Sequence, residues 1–258
     1  MRRVGVVALN TFREAVRDRV LYNLVFFAML MMAAAVAVGQ ISIGIEQTVM
    51  VSLGLSAISV IGLLISVFLG VALVSKEMDK RTLYALLAKP LRRWEFLLGK
   101  FAGLVLTLAV NTAAMALGLL LAMIYVKHSL GRGDAAVLVA VYFILLKLAL
   151  IVALALLFSS FTTPLLAILF TVGLYIVGLY VQELRNLPVE VMSPAMAAFT
   201  RWLSYVLPNF ENFNVMALVA HGRAVPGALI LQNTLYAIIY CTIVLTAAAA
   251  VFSRRNLK

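Results

Sequence analysis

An all-α fold that crosses a membrane six times is what this sequence predicts, and three observations carry the prediction. The chain has 258 residues, 65% of them hydrophobic and only 12% charged, and its mean hydropathy is +1.10. That leaves too little polar surface for a water-soluble globule of this length. Apolar runs of about 20 residues, enough to cross a hydrocarbon core roughly 30 Å thick, recur along the whole chain. The charges then sort by side. Fifteen of the 21 Lys and Arg fall between spans on one side and five on the other, with five acids on each side and Lys147 alone inside a span. A basic excess of that kind marks the cytoplasmic face. The net charge of +11 is therefore a topology signal and not a nucleic-acid patch. A single domain over residues 1–258, with both termini cytoplasmic in the inner (plasma) membrane, follows.

Residues 1–19 come first. Leu9, Phe12 and Val16 share one helical face and Arg3, Asn10, Glu14 and Arg17 the opposite one, which predicts a helix lying in the membrane interface. The first span follows at about Val20 to Val38. Ala35 and Ala37 admit a signal-peptide reading, but Arg13 to Arg19 make the basic region overlong, so an uncleaved anchor is expected. A short outer loop with Glu46 leads to the second span, about Val49 to Val74. Gly62, Ser66 and Gly70 recur four apart in it, a spacing that admits close helix approach. Packing within one bundle is favoured there over a subunit interface.

Residues 76–100 carry seven Lys and Arg between two apolar runs, which makes them a cytoplasmic loop. Leu83, Leu86 and Leu87 recur at helical spacing, and Pro90 ends the pattern. Trp94, Leu97, Leu98 and Phe101 then begin a second helical pattern that runs into the third span, about Phe101 to Tyr125. A short charged helix held between two spans is a handle for a soluble partner.

The fourth span, about Ala135 to Phe158, and the fifth, about Pro164 to Val181, are joined by the short turn SSFTTP and form a tight hairpin. The outer segment 182–227 is the longest stretch outside the spans. Ser193 and Pro194 read as a helix start and Pro208 as its stop. Between them Met196, Phe199, Trp202, Leu203 and Val206 form an apolar stripe, too short to span and suited to the outer leaflet or to capping the bundle. The sixth span, about Ala228 to Val251, returns the tail to the cytoplasm.

Catalytic groupings are sparse. The two histidines, His128 and His221, fall in expected outer loops, and neither a zinc-protease pair nor a nucleophile elbow occurs. Met29 and Met32 share a helix face while Met31 points away, so the three do not converge on one ion. Cys241 is the single cysteine, which excludes an intrachain disulfide. No phosphate-binding G-x-x-x-x-G-K-[ST] is present; Gly99-Lys100 lacks both the earlier glycine and the following hydroxyl. A non-catalytic protein is expected, with no catalytic, cofactor-binding or metal-binding residues of its own; any ATP is bound by another chain.

With these features assembled, the chain resembles ABC transporter permeases of the type-2 exporter class over nearly its whole length. It is most similar to the branch associated with maturation of multi-copper enzymes such as nitrous-oxide reductase. The resemblance is carried by Thr11-Phe12-Arg13-Glu14 with Arg17-Asp18-Arg19, and by Glu77, Arg81-Thr82-Leu83, Lys89-Pro90, Arg93 and Gly99-Lys100. It implies an elbow helix before the first span, a coupling helix in the 76–100 loop and short outer helices between spans five and six. It also implies a pair of permease subunits, identical or not, working with separate ATPase subunits that hold ATP and Mg, whose closure is transmitted through the coupling helix. Glu77, Arg81, Thr82, Leu83, Pro90 and Arg93 are the expected ATPase-coupling residues. Lys80, Lys89 and Arg92 are expected only to fix topology.

The alternative is an ATP-independent secondary transporter or channel, suggested by Lys147 in mid-span. Such proteins show internal repeats and helices broken at mid-depth, and neither signal appears between residues 1–125 and 126–258. For Lys147 two readings stay open. A central charge costs about 2.5 to 3.5 kcal/mol on insertion scales, so it faces a polar cavity or subunit interface, or it is satisfied by hydroxyls or carbonyls within one bundle. No acid falls within a span to pair with it.

Overall fold

The computed structural model describes residues 2–17, 45–79, 93–127, 135–186 and 194–254, together with 22, 26, 29, 30, 33, 34, 36 and 37. Apart from those scattered positions the expected first span, with Met31 and Met32, lies outside the described residues, as do residues 80–92 and Ser193. All regular structure among the described residues is helical: α1 (Arg2–Val16), α2 (Glu46–Asp79), α3 (Arg93–Lys127), α4 (Ala135–Ser159), α5 (Pro164–Leu179), α6 (Val181–Asn186), α7 (Pro194–Val206), a single 3-10 turn (Glu211–Phe213), α8 (Met216–Ala220) and α9 (Gly227–Arg254).

Four of these helices are long and apolar enough to cross a membrane, over Glu46–Ala72, Trp94–Val126, Ala135–Ser159 and Gly227–Ser253. They coincide with the expected spans two, three, four and six. Their outward faces carry Leu231, Leu235, Ile238 and Ile243 on α9 and Leu117 and Leu121 on α3, all exposed. In lipid such a surface costs nothing, because the hydrocarbon is as apolar as the side chains.

At the centre stands α4. Its residues from Leu150 to Ala155 are all buried, so the helix is enclosed on every side, packed by α2, α3, α5 and α9. The small-residue stripe of α2 makes this possible. A Cβ on Gly62 would lie 2.5 Å from Leu148 Cδ1, and one on Gly70 would lie 2.9 Å from Ala155 Cβ. The glycines therefore serve packing inside one bundle.

The fifth apolar helix differs from expectation. α5 has 16 residues and ends at Leu179, about 24 Å of helix against a core of roughly 30 Å, so it stops short of a full crossing instead of running to Val181. Its start is as the sequence indicates, with Pro164 in the first turn after Thr163. The turn before it is closed by Ser160 and Thr162, whose side chains donate to the carbonyls of Leu157 and Phe158.

The segment that follows α7 packs beside the end of the short helix. Beyond α7 the chain drops back into the bundle. The Phe210 amide donates to the Gly178 carbonyl at 3.0 Å. Close approach requires that glycine, since a Cβ there would meet the Pro208 carbonyl and the Phe210 ring at 2.5 Å. From α9, Asn233 Nδ2 donates to the Asn212 carbonyl at 2.8 Å, Tyr236 Oη accepts from the Asn209 amide at 2.8 Å and Tyr240 Oη donates to the Val206 carbonyl. Asn233 and Tyr240 lie six and thirteen residues into α9, about 9 and 20 Å along the helix from Gly227. Non-helical backbone at membrane depth is tolerated only when buried in protein with its polar groups satisfied, and these side chains meet that requirement.

α1 docks on α3. Thr11 and Ala15 are fully buried, while Leu9 of the expected apolar face is 46% exposed and Phe12 and Val16 are half-buried. The docked face is Val4, Val7, Ala8, Thr11 and Ala15, because α1 lies so close to α3 that only small side chains fit between them. That closeness comes from two glycines of α3. A Cβ on Gly103 would lie 2.5 Å from the Ala8 carbonyl oxygen, and one on Gly99 would lie 2.6 Å from Val7 Cβ.

Candidate functional site

Three places in the fold carry chemistry beyond packing. The first is the end of the bundle where α2 stops and α3 begins. α2 has 34 residues and α3 has 35, each about 50 Å long, well beyond the thickness of the hydrocarbon core. Both run unbroken, so α2 carries Glu77 in its last turn and α3 begins at Arg93. The side chains of those two residues, and all of Arg81, Thr82, Leu83 and Pro90, lie outside the described residues. The framework around them is clear nonetheless. Two continuous helices bracket residues 80–92 and lead directly into the core around α4.

The base of α3 is braced by its neighbours. Lys100, expected as one more loop cation, is 1% exposed and its ammonium lies 3.5 Å from a carboxylate oxygen of Glu14 on α1. The same ammonium is 5.8 Å from the centroid of the Phe96 ring, within cation–π range. Phe96 stacks on Phe252 of α9 at 6.3 Å, with Val7 of α1 packed against both. Glu14 and Lys100 sit in the two separate motifs that carry the family resemblance, and the fold joins them. The ion pair was missed from sequence because Lys100 was counted with its hydrophilic neighbours. The signal lay in its position, flanked by Leu97, Leu98 and Phe101 on a helix already turning apolar.

The second place is Lys147. It stands twelve residues from each end of α4, is 7% exposed, and donates to Ser59 Oγ of α2 at 2.5 Å. Its ammonium is 6.0 Å from the centroid of the Tyr175 ring on α5, and Tyr175 packs on Phe210 with ring centroids 5.1 Å apart. Of the two readings left open, a hydroxyl within the bundle is the partner seen. No acid lies within the spanning helices beside it among the described residues; Glu211, in the 3-10 turn that follows α7, is half-buried. Glu211 is itself fixed, accepting from Asn214 Nδ2 at 2.9 Å while its amide donates to Asn209 Oδ1 at 3.1 Å.

The third place is α7. Phe199 and Trp202 stack with centroids 6.4 Å apart, and both are exposed, as are Met196, Tyr205 and Val206. The opposite face is tied to α6, where Arg185 donates to the Ser204 carbonyl at 2.9 Å and lies 5.4 Å from the Tyr205 ring. The helix thus turns its aromatic stripe away from the protein.

Comparison with known proteins agrees with the layout. A family model described as ABC-2 family transporter protein matches residues 6–257, nearly the whole chain. Among curated proteins nothing matches.

Proposed function

Because the chain belongs to the ABC-2 family of transporter proteins, and so is a multi-pass membrane subunit of an ABC transporter, we propose that it is the permease half of an ATP-driven exporter. In this reading a separate ATPase chain holds ATP and Mg, docks on the 80–92 segment and drives the bundle. The observation that supports it best is the pair of continuous helices α2 and α3 bracketing that segment, because a load applied between them passes into the core without a hinge. Arg81 to Ala88 form the coupling helix, Thr82, Leu83 and Pro90 set its shape, and Glu77, Arg81 and Arg93 fix its register in a groove of the ATPase by ion pairs and hydrogen bonds. α1 is the elbow helix. Two permease subunits, each passing the membrane six times with the short α5 and the residues after it making the fifth pass, and with both termini in the cytoplasm, form the membrane part in the inner membrane, and the motifs around Glu14 and Arg81 favour the copper-enzyme-maturation branch.

Purification in mild detergent tests this directly. A stable complex with a P-loop ATPase is expected, and a permease that purifies alone and transports without ATP overturns the reading.

For α7 the proposal is a position parallel to the membrane in the outer leaflet, supported by its exposed aromatic stripe and by the preference of Trp for the interface. With Trp94 replaced by Phe, Trp202 fluorescence is expected to be strongly quenched by lipids brominated high on the acyl chain. Quenching by aqueous iodide instead removes α7 from the bilayer.

A further inference from the structure

The face of α1 turned away from α3 has a composition of its own. Val6, Leu9, Asn10, Arg13 and Arg17 recur at helical spacing, so they share that face, and all are exposed. Val6 is 70% exposed and Leu9 46%, which leaves two apolar side chains beside two guanidinium groups. The one acid of α1 does not offset those charges. Glu14 is spent on the docked side, where a carboxylate oxygen lies 3.5 Å from the Lys100 ammonium. Asp18 and Arg19, outside the described residues, add no net charge.

The flanking sequence sets the depth of this stripe. α1 meets α3 at Gly99 and Gly103, around the start of the apolar run at Phe101, and the apolar run of the expected first span starts at Val20, three residues past Arg17. Both runs enter hydrocarbon at that level, which holds the stripe at the headgroup boundary. Water there would leave Val6 and Leu9 solvated, and hydrocarbon would leave Arg13 and Arg17 without a countercharge. A headgroup layer satisfies both, with the arginine stems along the acyl chains and the guanidinium groups reaching phosphate.

We infer that this face of α1 is a docking surface for anionic phospholipid, in which Val6 and Leu9 seat at the acyl boundary and Arg13 and Arg17 bind the negatively charged headgroup. A zwitterionic lipid is the poorer occupant, because its own cation would lie beside the guanidinium groups. The same helix brings Glu14 to Lys100 and packs Val7 on Phe96 and Phe252, so the lipid presses the base of the bundle together from outside. The inference rests on membrane residence alone, and it is tested on the permease without any ATPase, so its failure leaves the coupling reading untouched.

The full-length permease is purified with equimolar phosphatidylglycerol and phosphatidylcholine, and the lipids it retains are counted by native mass spectrometry. The parent is expected to favour phosphatidylglycerol. Each basic residue at an anionic surface is worth roughly fivefold in binding, so Arg13→Gln with Arg17→Gln is expected to lower that preference at least about tenfold. Arg13→Lys with Arg17→Lys, which keeps the charge, is expected to retain most of it. Arg201→Gln with Arg223→Gln, at exposed positions of the outer segment, is expected to leave it unchanged. In nanodiscs of phosphatidylcholine alone the parent and the Arg13→Gln, Arg17→Gln variant are expected to melt together, which separates lost lipid from lost fold. A nitroxide on a cysteine at position 6, in a Cys241→Ala background, is expected to relax faster with oxygen than with a water-soluble nickel chelate. An unchanged preference in the Arg13→Gln, Arg17→Gln variant, an equal fall in the outer pair, or a nitroxide that meets the nickel chelate until ATPase is added each overturns the lipid surface, the last by making it a protein surface.

Discussion

Arg81→Glu is expected to insert normally, to bind its ATPase poorly and to support no transport. Topology is expected to hold because fourteen of the fifteen basic residues on the expected cytoplasmic side remain, and the positive-inside bias is set by the sum and not by one residue. Binding is not safe. Reversing a charge that pairs across a docked interface leaves its partner facing a like charge, and truncating such pairs costs about 2 to 5 kcal/mol. That corresponds to at least about 30-fold in affinity. Lys89→Gln, in a residue expected only to fix topology, is the matched control and is expected to bind and transport as wild type. The readouts are protease-protection topology, ATPase co-purification and transport; unimpaired transport in Arg81→Glu places the coupling contact elsewhere.

The second large effect is expected at Gly103. A side chain there meets the Ala8 carbonyl at 2.5 Å and Thr11 Cβ at 2.6 Å, and backbone cannot give way as a flexible side chain can. Gly103→Leu therefore pushes α1 off α3 and separates Glu14 from Lys100. Overpacking of this kind costs about 1 to 3 kcal/mol, and loss of an ion pair buried at its lysine end adds to it. The functional loss is expected to exceed the stability loss, because α1 and the base of α3 then no longer move as one body with the coupling segment. Spin labels at the exposed positions Asn10 and Leu106 report the separation. A single narrow distance is expected in the parent and a longer, broader one in Gly103→Leu, with little or no transport. An unchanged distribution with normal transport contradicts the brace.

What the sequence revealed, and what it hid, divides along the range of the interactions. Spans two, three, four and six were legible because an apolar run long enough to cross a bilayer needs no partner to be recognised. The continuation of α3 through Trp94 was legible for the same local reason, as were the small residues at 62, 66 and 70. The inserted segment was not. Asn209, Glu211, Asn212 and Asn214 fall within six residues, which locally means an outer loop, and the groups that hold the stretch against the bundle lie on α9 at Asn233 and Tyr236. Nor did α1 disclose its seat on α3, since the close fit around Ala8 and Thr11 is made by glycines almost a hundred residues away. Lys147 drew notice through its cost alone, but Ser59 and Tyr175 became its neighbours only through the packing of α2 and α5 on α4.

The central claim is that an ATPase takes hold of this permease at the segment between α2 and α3, and affinity measures it most directly. The purified ATPase is titrated onto the permease in nanodiscs, comparing the parent chain, Arg81→Glu and Lys89→Gln. The account predicts saturable binding to the parent and to Lys89→Gln with equal affinity, and a loss of at least about 30-fold for Arg81→Glu. Equal affinity for all three, or no binding to the parent, contradicts it.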